Sequence, residues 1–232
     1  SASGQLTIAD VDSGEAVFTP QSAVATTYGT FTVDAAGAWT YDVDNSNPAV
    51  QQLGATSAGL TDTLTATSAD GTPQQITVTI AGTNDAPTVA SVITSQAATE
   101  DAAFSFAVPQ GTFADIDTGD ALTLSTGSLP AWLSFDANTG TFSGTPLNGD
   151  VGTTQVTVTA TDPQRATVST IFDLVVNNTN DAPTLNPIST VTVDEDGQLA
   201  GGTFTATDPD SGDTLTYSCL LYTSPSPRDL AQ

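Results

Sequence analysis

Seven residues, Thr83-Asn84-Asp85-Ala86-Pro87-Thr88-Val89, recur almost unchanged as Thr179-Asn180-Asp181-Ala182-Pro183-Thr184-Leu185, 96 positions later. A repeat at that period predicts a row of units, each about the size of an Ig sandwich, and argues against one large shared core. Each copy is followed by an acidic pair, Glu100-Asp101 and then Glu195-Asp196. A carboxylate cluster comes next: Asp115, Asp117 and Asp120 in one unit, Asp208, Asp210 and Asp213 in the following one. Asp10, Asp12 and Glu15 form a comparable cluster near the start. Pro87 and Pro183 fix φ and push the residue before them toward extended geometry, which predicts stiff joints.

Within the units the apolar residues alternate. Ile76-Thr77-Val78-Thr79-Ile80, Val156-Thr157-Val158-Thr159-Ala160, Phe31-Thr32-Val33 and Trp39-Thr40-Tyr41-Asp42-Val43 all follow period 2, with β-branched Thr on the wet face. Gly, Asn-Gly, Asp-Gly and Ser-Gly breaks recur every ten residues or so, and no helical period is visible. The fold class is all-β, and the punctuation points to antiparallel sandwiches or barrels.

Charge then narrows the function. The chain has 232 residues, with 26 Asp and Glu against 2 Lys and Arg, no His and 1 Cys. Without His there is no Ser-His, Cys-His or His-metal constellation. Almost no basic side chain is available to neutralise phosphate, which excludes nucleic acid as a partner. No run approaches a membrane span, and no secretory leader is visible. Only paired carboxylates remain for catalysis, as in glycoside hydrolysis, and no cleft-forming insertion accompanies them. The expectation is a chain that is not an enzyme. An oxygen-rich, net −24 surface is suited instead to collecting cations.

The stretch Cys219-Leu220-Leu221-Tyr222-Thr223-Ser224-Pro225-Ser226-Pro227-Arg228-Asp229 shares neither composition nor period with what precedes it. It resembles the conceptual translation of a transposase adapter used in sequencing libraries. Residues 219–232 are therefore read as a non-native tail, the third unit as truncated, and the chain as a fragment.

Residues 3–84 resemble a VCBS repeat. The carriers are Gly4 to Asp12, Tyr28-Gly29-Thr30-Phe31, Gly37-Ala38-Trp39-Thr40-Tyr41-Asp42-Val43 continuing to Gln51, and the closing Ile80 to Asp85. Residues 88–180 resemble a dystroglycan-type cadherin-like domain, through Leu129-Pro130-Ala131-Trp132-Leu133-Ser134-Phe135-Asp136 and Thr139-Gly140-Thr141-Phe142-Ser143-Gly144-Thr145-Pro146. Residues 185–218 look like the start of another such unit. The domains expected are 1–85, 86–181 and 182–218, followed by the tail. The resemblance implies tandem Ig/cadherin-like antiparallel β-sandwiches arranged end to end, in a large secreted or surface-attached bacterial adhesin.

It also implies calcium (Ca2+) at the joints. Carried over residue by residue, the first joint would use Asn84, Asp85, Asp115, Asp117 and Asp162. The second would use Glu100, Asn180, Asp181, Asp208 and Asp210. Calcium takes six to eight oxygens, and converging carboxylates suit it. Two departures from the cadherin pattern imply weak sites, of ~10⁻⁴–10⁻³ M. Gly82 and Asn178 stand where cadherins begin the joint with Asp, and no mid-domain acidic motif follows Gly144-Thr145-Pro146. Asp208-Pro209-Asp210-Ser211-Gly212-Asp213 is also sound turn chemistry without any ion. Asp10 to Glu15 and Asp42 to Asn47 faintly resemble the opening of an EF-hand loop but have no Glu at the twelfth position. Trp39 and Trp132 read as core residues.

The function expected is a calcium-stiffened structural and adhesive stalk module, extracellular or on the bacterial cell surface. Other cell-surface proteins or polysaccharide would be met through other parts of the parent protein. The alternative is a carbohydrate-binding or spacer module of a large extracellular polysaccharide-active enzyme.

Overall fold

The computed structural model describes residues 1–11, 14–187 and 203–218. Asp12, Glu195, Asp196 and the tail 219–232 lie outside the described residues. Chain order in the first unit is β1 (Ala2–Gln5), β2 (Gln21–Ala25), β3 (Gly29–Val33), β4 (Ala38–Val43), α1 (Pro48–Gln51), β5 (Leu60–Thr67) and β6 (Pro73–Ile80). One sheet runs β1-β4-β3-β2 and the other is the β5-β6 hairpin. The alternation read in the sequence is what closes them face to face. Phe31, Val33 and Tyr41 from the first sheet meet Leu64, Ala66, Val78 and Ile80 from the second, with Phe18 and Leu53 in the same cluster. The short helix α1 starts where Pro48 sits at its first position and Asn47 caps it through the Ala49 N–H.

The second unit contains β7 (Thr88–Val89), β8 (Gln96–Thr99), β9 (Phe104–Ala107), β10 (Phe113–Ala114), β11 (Thr123–Thr126), β12 (Leu133–Asp136), β13 (Thr141–Gly144), β14 (Gly152–Thr161) and β15 (Thr167–Asn177). Its sheets are β11-β14-β15-β8 and β12-β13-β9, with β7 paired to β10. A separate cluster fills it, built on Phe142, Val156, Val158, Phe172, Leu174 and Val176. β8 pairs with β15 in parallel, the only parallel ladder among the described residues. Beyond Asp181, β16 (Thr184–Leu185) pairs with β17 (Ala206–Thr207). The fold is thus all-β, with Ig- and cadherin-like sandwiches in tandem, and the one parallel strand is a local departure from antiparallel pairing.

Trp39 and Trp132 are half-buried, each packed on the rim of its own core. Gly4 lies directly opposite Trp39, and a Cβ there would come within 2.7 Å of the indole ring. The two rings belong to different units and form no joint platform.

Candidate metal centres at the two joints

The repeated Asn-Asp motif leaves the last strand of one unit and enters the next, so its polar atoms meet the turns of two sandwiches. At the first joint the Asn84 carboxamide donates to Asp162 Oδ2 at 2.9 Å, and the Asp85 N–H donates to Asp117 Oδ2 at 2.8 Å. Asp117 in turn donates its own N–H to Asp115 Oδ1 at 3.0 Å, closing an Asx turn over Asp115-Ile116-Asp117. Asp162 spans the tight turn after β14, accepting the Ala166 N–H at 2.7 Å through its other oxygen. The first unit also reaches across: the Thr118 N–H donates to the Gln52 carbonyl at 3.0 Å. The loop after α1 thus caps the same turn.

These bonds leave a set of oxygens unused. Asn84 Oδ1, Asp115 Oδ2, Asp117 Oδ1 and Asp120 Oδ2 are buried with no hydrogen-bond partner. Asp115, Asp117 and Asp120 each place a carboxylate oxygen within 4.8 Å of the others. Asp117 is 3% exposed and Asp162 is 4% exposed. An unpaired buried carboxylate oxygen is costly, and several of like charge in one place more so. Burial, and then the charges of Asp115, Asp117 and Asp162, push the Asp120 carboxyl above its usual value. The donor set is all oxygen and the charge is concentrated, which is what a hard divalent cation such as calcium requires.

The second joint repeats the arrangement. The Asp181 N–H donates to Asp210 Oδ2 at 2.6 Å, and the Asp210 N–H donates to Asp208 Oδ1 at 3.0 Å. Here the upper unit adds Glu100, 2% exposed, which accepts the Thr179 N–H at 2.6 Å through Oε1. Its Oε2 is buried and unpartnered. Glu100, Asp181 and Asp210 bring carboxylate oxygens within 4.8 Å of one another, as do Asp208, Asp210 and Asp213. Burial, then the charges of Asp101, Asp210 and Asp208, raise the Asp181 carboxyl.

Of the residues named from sequence, Asp115 and Asp117 come together at the first joint, with Asn84 on Asp162 and the Asp85 backbone tied to Asp117. Glu100, Asp181, Asp208 and Asp210 come together at the second. Asn180 is exposed, and its carboxamide donates to the Asp181 carbonyl at 3.0 Å. Asp120 and Asp213 complete the two clusters without having been named as ligands, although the shared Asp-x-Asp-x-x-Asp spacing marks them. Asn148 was missed altogether. Its carboxamide crosses the second joint to Asp210 Oδ1 at 3.0 Å, and a lone Asn-Gly in a turn carries no such signal. Asp44 accepts the Ser46 N–H and hydroxyl, so the faintly EF-hand-like stretch at Asp42 to Asn47 closes as a turn.

Residues 1–82 match the family of bacterial cadherin-like domains, and residues 86–177 match the family described as Putative Ig domain. No curated protein matches. Among solved structures, the extracellular cadherin domains 1–4 of protocadherin gamma B7 align with 91% of this chain and 55% of theirs, at 20% identity and TM-score 0.53. Domains 1–5 of protocadherin gamma B2 align with 91% of this chain and 43% of theirs, at 20% identity and TM-score 0.51. An endo-fucoidan hydrolase of glycoside hydrolase family 107 aligns at TM-score 0.35 and 23% identity, over 76% of this chain and 26% of its own. That last likeness is too slight to bear on function. The chain thus spans from a quarter to just over half of these solved chains.

Proposed function

We infer that this tandem of Ig- and cadherin-like sandwiches is a calcium-binding structural and adhesive stalk segment of an extracellular or cell-surface bacterial protein. Domains 1–85 and 86–181 are followed by the opening of a further unit over 182–218, with a foreign tail at 219–232. Calcium would be held by Asn84, Asp85, Asp115, Asp117, Asp120 and Asp162 at the first joint. At the second, Glu100, Asn180, Asp181, Asp208, Asp210 and Asp213 would hold it.

The observation that carries this reading is the set of buried carboxylate oxygens without partners at both joints, above all Asp117 Oδ1 and Glu100 Oε2. Bound calcium supplies positive charge that offsets their mutual repulsion. The chain's own groups do the rest. Residues 84–85 and 180–181 lie between two units: at the second joint Glu100 of the upper unit joins ligands of the lower one, and at the first the ion would hold the linker residues 84–85 to the lower unit's turn, on which the first unit rests through the Gln52 carbonyl.

The test is a calcium titration of the full chain after chelation, followed by thermal melting and small-angle scattering. With sites of ~10⁻⁴–10⁻³ M, ~10 mM calcium stabilises each by about 1.4–2.7 kcal/mol. The melting midpoint is expected to rise and the particle to lengthen, with magnesium failing to substitute. Asp117→Asn should blunt the response of the first joint and Glu100→Gln that of the second. Identical curves with calcium and with chelator would sink the reading.

A further inference from the structure

We propose that Asn148 is a deamidation site, and that its conversion to aspartate or isoaspartate turns the second joint from one closed by a direct hydrogen bond into one that depends on a divalent cation. The sequence supplies the reactive pair. Asn148-Gly149 is the only Asn-Gly dipeptide in the chain. Glycine has no Cβ to crowd its own nitrogen, so the Gly149 nitrogen can reach the Asn148 side-chain carbonyl carbon. There it forms a cyclic imide as the carboxamide nitrogen leaves as ammonia. Water then opens the ring at one of its two carbonyls. In either product a carboxylate replaces the carboxamide, and no oxidant, metal or enzyme takes part.

The local structure leaves room for that ring. Asn148 opens a 3₁₀ turn, Asn148–Asp150, between β13 and β14. The turn is held at its ends: the Leu147 N–H donates to Asp150 Oδ2 at 2.9 Å, and the Val151 N–H to the Asn148 carbonyl at 3.3 Å. Gly149 is exposed, and a Cβ built on it would meet nothing within 4 Å. One contact restrains the carboxamide, whose nitrogen donates across the joint to Asp210 Oδ1 at 3.0 Å. Conversion proceeds when that bond breaks, so it is a slow event tied to opening of the joint.

The consequence follows from what Asp210 does. It is 5% exposed, and it belongs both to the group with Glu100 and Asp181 and to the group with Asp208 and Asp213. Each of its oxygens accepts from a donor: Oδ1 from Asn148, Oδ2 from the Asp181 N–H. Deamidation removes the first donor and sets a negative charge in its place. Two carboxylates that close, one of them buried, repel strongly. Without a cation the joint is pushed open. With one, the new carboxylate is a further oxygen ligand, contributed by the upper unit. This last step rests on the calcium reading; the deamidation and the repulsion do not.

The first joint has no such group. There the loop after α1 meets the next unit's turn through backbone, the Gln52 carbonyl accepting the Thr118 N–H at 3.0 Å. A main-chain carbonyl has no amide to lose, so ageing alters the second joint alone.

The test ages the full chain at mildly alkaline pH in chelator and follows every asparagine by peptide mass mapping. Asn148 should convert ahead of the others, and Gly149→Ala should slow it by about tenfold or more. Asn148 still an amide after another asparagine has converted would overturn the site. Asn148→Asp and Asn148→Ala then separate the added charge from the lost bond. In chelator both should speed exchange of the Asp181 amide, the Asp variant more than the Ala variant. Equal exchange in the two would overturn the repulsion. In calcium titration calorimetry only Asn148→Asp should bind more tightly than wild type, by about tenfold at one site. A wild type that binds calcium with no tightening in Asn148→Asp would overturn the added ligand. A wild type that binds no calcium would sink the stalk reading and the added ligand together, and leave the deamidation and its loosening of the joint standing.

Discussion

At the scale of single residues, buried carboxylates in this chain have two fates, and their partners decide which. Asp62 is 5% exposed and fully engaged: the Tyr41 hydroxyl donates to it at 2.7 Å, and the Tyr28 N–H at 3.0 Å. Burial disfavours its charge, but hydrogen bonds from Tyr41, Tyr28 and Thr27 outweigh that and hold its carboxyl below the usual 3.8. Burial and the bond to Asp62 push Tyr41 up to about 12. The folded state therefore favours ionised Asp62 more than the unfolded chain does. Its stabilisation is complete above pH 3.8 and is lost as pH falls through the lower folded value. Asp62→Asn should cost about 1–3 kcal/mol in urea melts at neutral pH, with the difference from wild type shrinking on acidification below that point. Asp117 and Glu100, equally buried, keep unpartnered oxygens. The Asp62 substitution should leave the calcium response unchanged.

Elements were legible where their side chains alternate. The period-2 runs at Phe31, Trp39, Ile76 and Val156 all fall within β3, β4, β6 and β14. β8 was not legible, because Gln96-Ala97-Ala98-Thr99 is too short and too bland to alternate, and its parallel place beside β15 is a tertiary event. The second unit's core centres on Phe142, 0% exposed, whose ring lies 4.6 Å from Phe135 and 5.7 Å from Phe172 between centroids. Phe142→Ala should destabilise that unit by about 3–5 kcal/mol. The two hydrophobic clusters share no residue. Calorimetry should therefore resolve two transitions in the variant, with the first unit's melting little changed. A single transition lowered as a whole would mean that the joint couples the units more strongly than their separate cores suggest.

For the whole molecule, charge is the dominant fact. A net charge of −24 opposes compaction, and the joints gather part of it into small volumes. Asp120 and Asp181 are raised above 3.8 by burial and by neighbouring carboxylates. The folded chain thus holds those protons longer than the unfolded one. Their effect is absent at low pH and turns against folding as pH rises through 3.8 and the raised values. A cation at the joints would remove that cost, so the calcium-induced rise in melting midpoint should be largest near neutral pH. It should shrink toward pH 3.8, which paired melts with calcium and with chelator would measure. A calcium gain that does not vary with pH would place the ion away from these carboxylates.

The sequence by itself determined the all-β class, the tandem organisation and the chemistry open to the chain. Alternation, a 96-residue repeat and charge are local or additive properties that survive without coordinates. It also named most members of both carboxylate clusters, because the repeat carries their spacing. Which oxygens stay unpartnered was decided only by the tertiary structure, since that depends on which N–H groups the turns present. The same holds for Asn148 reaching Asp210 across the joint, and for β8 lying parallel on β15. Those are contacts between residues far apart in the chain, and no local pattern records them.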